Sequence, residues 1–180
     1  MPTDETVAEM AVYIKLFRSR GGRVLLPPHL VADRQRWIVE AKRYREEWDY
    51  LPALQRTDRL KSGLSYLWAA VRKWPRCIVA LRVNELVAAL SFDLRVDRIE
   101  VHVIGSRQAD EASGAGMAIE FALAEEALRR QLPVFSGYTG DAENWHKRLG
   151  RRLNLVAGEN SSEWTLEDCE FIVRGIKGLL

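Results

Sequence analysis

Apolar residues recur with a helical period in two stretches of the first half of the chain. The first stretch ends at "DYLP", and its shared face consists of Trp37, Ala41, Tyr44 and Trp48. The second begins near Asp58 and ends at Pro75, and its shared face consists of Leu60, Leu64, Leu67, Val71 and Trp74. We predict a helix in each stretch. The aromatic face of the first helix either packs into the core or partly lines a substrate groove.

After this second helix the apolar period shortens to that of β-strands. The runs "RCIVALRV" and "LVAALSFDLRV" are joined by Asn84 and Glu85, which indicates a β-hairpin. The next run, "RIEVHVIG", alternates between an apolar face and an ionisable face, which is typical of a half-buried strand. Its apolar positions are Ile99, Val101 and Val103, and its ionisable positions are Glu100 and His102.

A strong helix pattern with two glycines at its start occupies residues 113–130, "SGAGMAIEFALAEEALRR". The apolar stripe of this helix consists of Met117, Phe121, Ala124 and Leu128. Glycine costs about 1 kcal/mol relative to alanine inside a helix, so Gly114 and Gly116 need a reason outside the helix. The first N–H groups of a helix are unpaired and partly positive, and glycine lets a pyrophosphate approach them. The alternative is that the glycines serve close packing between helix and strand.

The remaining segments complete an α/β (α+β) order of elements. "LPVFSGY" predicts a buried strand, and "DAENWHKRLG" predicts a short helix closed by Gly150. "LNLVA" and "CEFIV" predict one or two strands, with "GENSSE" as a turn. Near the N-terminus, "MAVYIKLF" is interpreted as a first strand and "RGGRVLLPPHL" as a turn, a short extended run and a proline stop. We expect a single domain over residues 1–180, with a mixed central sheet of about six to seven strands and about four helices.

The composition fits a folded domain and specifies no partner. The chain is 47% hydrophobic and 29% charged, with a formal net charge of +2. This mildly basic balance does not by itself imply nucleic acid. The basic run "KRLGRR" at residues 147–152 is either a nucleic-acid site or, as we favour, a solvated helix end. The apolar runs are far shorter than the ~20 residues of a membrane span, so no membrane partner is expected.

The cysteines and histidines show no metal-binding spacing. Cys77 lies in an apolar run and Cys169 in an acidic one, and the three histidines are widely separated. We therefore expect no metal and a reducing compartment. The N-terminal "MPTDETVAEM" is not basic and then apolar, as a secretory signal would be. These observations together predict a cytoplasmic protein.

The order of elements resembles that of the Gcn5-related N-acetyltransferase (GNAT) family. It runs strand, glycine turn, helix, strand and helix, and "ENWHKRLGRRL" follows the last strand. In that family a strand is followed by Gln/Arg-x-x-Gly-x-Gly/Ala, and a later helix carries a small residue and then Phe-Tyr-x-x-Leu-Gly. In "SGAGMA", Gly116 and Ala118 match, and Ser113 stands where Gln or Arg is usual. The residues that line up with the second motif are Ala142, Trp145, His146, Leu149 and Gly150. The resemblance is strongest over residues 76–175.

The resemblance implies an acetyltransferase that uses acetyl-CoA as co-substrate and transfers the acetyl group directly to a primary amine. Acetyl-CoA would lie between "RIEVHVIG" and "LPVFSGY". The residues implied to bind it are Val101, Val103, Ser113, Gly114, Ala115, Gly116, Met117 and Ala118. Since Ser113 is short, Arg107 or Gln108 is a further hypothesis for the phosphates. Tyr138 follows the second strand, near the implied pantetheine, and is either functional or packing. The acceptor is a small-molecule or protein amine, and a homodimer is left open.

The reaction needs a base, because an amine at pH 7 is mostly protonated and must lose a proton before it attacks the thioester. Glu100 and His102 lie two residues apart on one strand face, and we interpret at least one of them as the base or a water relay. The alternative is that Glu100 pairs with Arg82 or Arg95. His146 takes the place of the family's tyrosine, the usual general acid toward the departing thiolate. Its imidazolium is able to donate that proton at neutral pH; otherwise His146 is a surface residue.

A second hypothesis keeps the fold without the catalysis. Ser113 and His146 both depart from the GNAT pattern, as in a domain that serves as a binding or regulatory module. No nucleophile motif indicates a covalent step. Binding of coenzyme A distinguishes a catalytic or sensing protein from a scaffold.

Overall fold

A computed structural model describes residues 1–26, 34–73, 76–107 and 114–180 of the chain. These residues form a seven-stranded sheet with helices on both faces. The strands β1 to β7 are Gly22–Leu25, Cys77–Arg82, Glu85–Leu94, Ile99–Ser106, Val134–Tyr138, Arg152–Val156 and Glu159–Trp164. The helices α1 to α6 are Asp4–Ser19, Arg34–Glu47, Asp58–Arg72, Ala115–Arg130, Glu143–Arg148 and Leu166–Leu179. The mixed α/β architecture is the one predicted.

The strands follow the order β1-β2-β3-β4-β5-β7-β6 in the sheet. Each neighbouring pair is antiparallel except β4 and β5, which are parallel. Parallel neighbours need a crossover connection, and α4 lies in this one. The start of α4 therefore follows the end of β4, as expected from the order of elements.

Two hydrophobic layers cover the sheet. On one face, α1, α4 and α6 pack against each other and the sheet. On the other face lie α2 and α3, with Trp37 and Tyr44 buried among residues of α3, β2 and β3. The core interpretation of the aromatic stripe is thus confirmed for these two side chains, and Trp48 is partly buried beside them. Among the helices of the described ranges, none has the length and apolarity needed to cross a membrane.

The first helix corrects a prediction, because "MAVYIKLF" lies inside α1 and is not a strand. Thr3 caps the helix: its hydroxyl accepts a hydrogen bond from the Thr6 N–H, and Asp4 and Glu5 lie in the first turn. The buried positions recur with the helical period, and they include Val7, Met10, Ile14 and Phe17. The extended run predicted after it is confirmed as β1.

The C-terminal tail also differs from the prediction. Most of "GENSSE" lies in strand β7, which pairs with β5 on one side and β6 on the other. "CEFIV" lies in helix α6, which Thr165 and Asp168 begin with reciprocal capping hydrogen bonds. With α1 and α6, the described residues form six α-helices rather than about four.

Gly105 fixes how closely α3 approaches the sheet. A Cβ at this position of β4 would overlap the backbone nitrogen of Leu67 and lie 2.7 Å from the Gly63 carbonyl oxygen, both in α3. The backbones of the helix and the strand therefore touch here, which only glycine allows.

Candidate active site

The two halves of the sheet meet at β4 and β5, and these strands pair over only a short length. The pairs are Ile99 with Val134, Glu100 with Phe135, and Val101 with Ser136. Farther along, β4 stays paired with β3 and β5 with β7, but the pairing between β4 and β5 does not continue. We call this opening, between His102–Ser106 and Gly137–Tyr138, the β4–β5 gap. Its facing strand edges offer backbone donors and acceptors to a ligand.

A β-bulge lies where the gap begins. In the β3–β4 register, Ser91 faces Val103 and Phe92 faces Val101, so His102 is an extra residue on β4. As a result Val103 packs against the α2–α3 layer, whereas Val101 belongs to the opposite layer. The predicted alternation, which placed both valines on one apolar face, is wrong at Val103 because the bulge shifts the pleat.

The glycines at the start of α4 make close packing contacts. Gly114 has φ +90°, and a Cβ there would overlap the Tyr13 carbonyl oxygen and lie 3.1 Å from Cβ of Phe17. A Cβ on Gly116 would lie 3.1 Å from the Trp145 ring. The packing explanation of the glycines therefore applies, although the partners are α1 and α5 rather than a strand.

Three of the residues implied to bind acetyl-CoA have buried side chains, so only their backbone groups are able to contact a ligand. The side chains of Ala115, Met117 and Ala118 are buried in the core. The first N–H groups of α4 have no acceptor within the helix, whereas the Ala118 N–H is already bonded to the Gly114 carbonyl at 2.9 Å. Ser113, like Gln108, lies outside the described residues.

Arg107 faces α2. Its guanidinium lies over the Tyr44 ring, 4.0 Å from the centroid, and donates to the Tyr44 hydroxyl at 3.2 Å. It also forms an ion pair with Glu85 at 3.6 Å. This arrangement gives no support to the hypothesis that Arg107 reaches phosphates at the start of α4.

Glu100 is held by two arginines. Its carboxylate accepts hydrogen bonds from Arg95 Nε at 2.9 Å and from Arg98 Nη2 at 3.4 Å. The hydrogen bond from Arg95 is the main cause that lowers the pKa of Glu100, which makes this carboxylate a weaker base. The alternative interpretation, in which Glu100 pairs with an arginine, is confirmed for Arg95; Arg82 instead donates to the Arg20 carbonyl.

His102 binds Asp93, a residue that sequence reasoning missed. The distance from His102 Nε2 to Asp93 Oδ2 is 2.6 Å, and the His102 side chain is 32% exposed. Asp93 also accepts from Arg76 at 3.2 Å. The hydrogen bond with His102 is the main cause that lowers the pKa of Asp93. The pairing depends on the β3–β4 register and its bulge, neither of which the sequence pattern shows.

His146 is buried and neutral, which corrects both of its interpretations. It is only 6% exposed, so it is not a surface residue. Its Nδ1 lies 2.9 Å from the Ser162 hydroxyl and 3.5 Å from Arg151 Nη1. Burial, and secondly the charge of Arg151, lower the pKa of His146 to about 3. The expected imidazolium at neutral pH is therefore wrong.

Tyr138 ends β5 at the gap and stacks on His146. The two ring centroids are 4.6 Å apart. The Tyr138 hydroxyl is buried and has no hydrogen-bond partner among the residues that the structure describes. Burial raises the pKa of this phenol, and the charge of Glu143 adds to the effect. A buried hydroxyl without a partner costs roughly 1–3 kcal/mol, so this group is a candidate donor to a ligand.

A buried ion pair joins the loop between α5 and β6 to α4. Arg151 Nη2 lies 2.5 Å from Glu120 Oε2, and the two side chains are 0% and 2% exposed. The other oxygen of Glu120 accepts from the Trp145 indole at 3.3 Å. Because Trp145 contacts Gly116, this pair fixes the surroundings of the first turn of α4.

The architecture is also that of two solved acetyltransferase structures. Aminoglycoside 6'-acetyltransferase type Ii matches with a TM-score of 0.51 over 74% of this chain and 94% of its own, at 14% identity. The GNAT domain of S. lividans PAT matches with a TM-score of 0.51 over 79% and 88%, at 16% identity. This chain has the GNAT fold. No protein-family model and no curated protein matches the chain in sequence.

Within this GNAT fold, neither cysteine is suited to a covalent step. Cys77 and Cys169 are free and buried, and burial raises the pKa of each thiol to about 12. A thiol with such a pKa is a poor nucleophile at neutral pH. In the parts of the chain that the structure describes, no group of three His, Cys, Asp or Glu residues is placed to hold a metal ion.

Proposed function

We propose that this protein is an acetyl-CoA-dependent N-acetyltransferase that acts directly on a primary amine. The observation that carries the proposal is the β4–β5 gap, at whose edge the Tyr138 hydroxyl has no hydrogen-bond partner among the described residues. Helix α5 links this edge to the first turn of α4, since His146 stacks on Tyr138 and Trp145 lies against Gly116. The likeness of the fold to two acetyltransferases supports the same reaction class.

Coenzyme A would bind mainly through backbone groups. Its amide-containing arm suits the strand edges that face the gap beyond Val101 and Ser136. Its pyrophosphate suits the unpaired N–H groups at Ala115, Gly116 and Met117, where the helix dipole favours negative charge. Val103 would contribute its backbone on the β4 side of the gap.

The reaction requires one proton acceptor and one proton donor. Glu100 or His102 takes a proton from the ammonium, and the free amine attacks the thioester carbonyl carbon. The C–N bond forms, the tetrahedral intermediate collapses, and the C–S bond breaks. The departing thiolate takes a proton from the Tyr138 hydroxyl, the candidate donor at the gap; the neutral His146 ring, which has no imidazolium proton to give, packs against the Tyr138 ring. The nitrogen loses a second proton to water and keeps the third as the amide N–H. Transfer of the proton on the base to the deprotonated Tyr138 restores both groups, so one proton is released per turnover.

Thiol release from acetyl-CoA, measured across amines, polyamines, amino acids and peptides, tests the proposal. We expect release that depends on one class of amine, together with coenzyme A binding by calorimetry. Gly116→Leu should weaken that binding by at least about tenfold, because bulk would enter the phosphate position and press on Trp145. Gly178→Leu is the matched control, since a Cβ at Gly178 meets nothing within 4 Å.

Failure of the wild-type protein to bind coenzyme A would refute the proposal. Unchanged coenzyme affinity in a folded Gly116→Leu variant would refute the phosphate position alone. A thermal unfolding curve for each variant separates loss of binding from loss of fold.

The second candidate is a GNAT-fold binding module without catalysis. It is favoured by the engagement of Glu100 with two arginines and by the neutral state of His146. Such a module would bind coenzyme A and release no thiol with any acceptor, so the same experiments distinguish the two candidates.

The basic run at residues 147–152 does not offer free charge to a nucleic acid. Each of its four cations lies in an ion pair: Lys147 with Glu143, Arg148 with Glu9, Arg151 with Glu120, and Arg152 with Asp168. We therefore keep a small-molecule or protein amine as the partner. Free buried cysteines fit a cytoplasmic location, and the proposal leaves a homodimer open.

A further inference from the structure

The contact between His102 and Asp93 has a defined donor and acceptor. Arg76 donates to Asp93 Oδ1 at 3.2 Å, and Arg95 Nη2 lies 3.8 Å from Oδ2. Two guanidinium groups beside one carboxyl favour its ionised form. An ionised carboxylate only accepts hydrogen bonds. The hydrogen in the 2.6 Å contact therefore belongs to His102 Nε2.

This assignment fixes the tautomer of His102. A neutral imidazole carries one proton, so a ring protonated at Nε2 has its lone pair at Nδ1. The side chain is 32% exposed, and it lies on the bulge at which the β4–β5 gap begins. The ring thus has a basic nitrogen that is not used by Asp93, on a side chain accessible to solvent at the candidate site.

Glu100 is less suited to the same task. Its carboxylate is bound by Arg95 and by Arg98, so taking up a proton would weaken two charge-assisted hydrogen bonds. His102 is bonded to Asp93 on β3, and Arg76 before β2 and Arg95 in the β3–β4 connection lie beside the same carboxyl. Arg95 also binds Glu100 on β4, together with Arg98.

We propose that Asp93 is a positioning residue that holds His102 with Nε2 protonated, so that Nδ1 is the base that takes the proton of the acceptor amine. This inference rests on the proposed acetyltransferase function. The carboxylate orients the ring and stabilises the imidazolium that forms when Nδ1 takes the proton. Asp93 itself does not contact the substrate.

Asp93→Asn tests the proposal through the pH dependence of thiol release. We expect kcat to fall at least about tenfold while the Kd for coenzyme A is unchanged. Loss of the carboxylate charge removes the group that stabilises the imidazolium, so the acid limb of the rate profile should move to lower pH. Asp93→Glu should recover part of the rate. Asp97→Asn, which changes an exposed carboxylate in the same connection, should leave the rate and the profile unchanged.

Nitrogen-15 NMR of the histidine rings gives a readout that needs no turnover. The spectrum of the wild-type protein should show the neutral His102 ring protonated at Nε2, with the signal assigned by comparison with His102→Gln. In Asp93→Asn the titration midpoint of this ring should move to lower pH. A ring protonated at Nδ1, or an unmoved midpoint, overturns the proposal even if no acceptor amine has been found.

The two proposals fail in different ways. Absence of thiol release by the wild-type protein, with the NMR result as expected, refutes the proposed function and leaves the pairing intact. Turnover by the wild-type protein, with an unshifted pH profile in Asp93→Asn, refutes the positioning role alone.

Discussion

Replacing Arg151 by methionine tests whether the buried ion pair holds this part of the fold together. Arg151 and Glu120 lie 31 positions apart in the sequence and join the loop before β6 to α4. Both side chains are almost completely buried. Methionine fills much of the arginine volume, so the main loss is the guanidinium and its hydrogen bonds.

The magnitude follows from the charge that remains. Removing one partner leaves the Glu120 carboxylate buried and uncompensated, which costs about 3–5 kcal/mol. For a chain of this size each kcal/mol lowers Tm by about 2–4 °C. We therefore expect Arg151→Met to lower Tm by about 6–20 °C. The same substitution in an exposed pair should cost less than about 1 kcal/mol.

Lys177→Met provides that matched control. Lys177 pairs with Glu125 at 2.9 Å and also joins two elements, α6 and α4, but the two side chains are 60% and 36% exposed. Urea unfolding of the wild type, Arg151→Met, Glu120→Gln and the double variant completes a thermodynamic cycle. The double variant should be more stable than Arg151→Met, because no uncompensated carboxylate remains.

A coupling free energy near zero in the cycle would refute the reasoning. So would a loss of stability in Arg151→Met no larger than in Lys177→Met. Either result would mean that Glu120 finds water or another donor when the guanidinium is absent.

Two further predictions concern stability. Folding lowers the pKa of His146 from 6.5 to about 3. Between these two pH values the unfolded chain binds a proton that the folded chain does not. The free energy of unfolding should therefore fall as the pH drops from about 6.5 toward 3, by up to about 1.4 kcal/mol per pH unit. Urea unfolding at pH 5 and pH 7 should show a smaller loss on acidification in His146→Gln than in the wild type; equal losses would contradict the assignment. Gly105→Ala should destabilise the protein by about 1–3 kcal/mol, since its Cβ would overlap the backbone of α3. Gly137→Ala is the control, because its Cβ would meet only the Asn160 carbonyl oxygen, at 4.0 Å. It should change the free energy of unfolding, measured by thermal unfolding, by less than about 0.5 kcal/mol. Equal losses in the two alanine variants would disprove the close-contact argument.

The elements that could be predicted from the sequence are those whose apolar residues keep one spacing, helical or strand-like, over a long stretch. Helix α4 and the β2–β3 hairpin are of this kind, although the turn itself lies at Val83 and Asn84, which both have positive φ, one residue earlier than predicted. The segment "MAVYIKLF" is too short a window to separate helix from strand. Its helical period becomes clear only together with Val7 and the capping residue Thr3.

The C-terminal tail and the candidate site depend on contacts between distant residues, which the order of apolar and polar positions does not predict. Strand β7 is polar, and it is a strand because β5 and β6 pair with it on both sides. Glu100 and His102 were placed on one face by their spacing, but their partners depend on the β3–β4 register. The neutral state of His146 follows from burial beside Arg151, which periodicity does not reveal.

The short pairing between β4 and β5 also limits the shape of any molecule that enters between them. Paired strands lie about 4.7–4.9 Å apart, so a guest bonded to both edges needs a separation of about 10 Å. A slot of that width accommodates one extended chain lying in the plane of the sheet, whose side groups project toward the two faces. A donor threaded in this way closes the slot to a second molecule, so the acceptor has to approach across a face of the sheet.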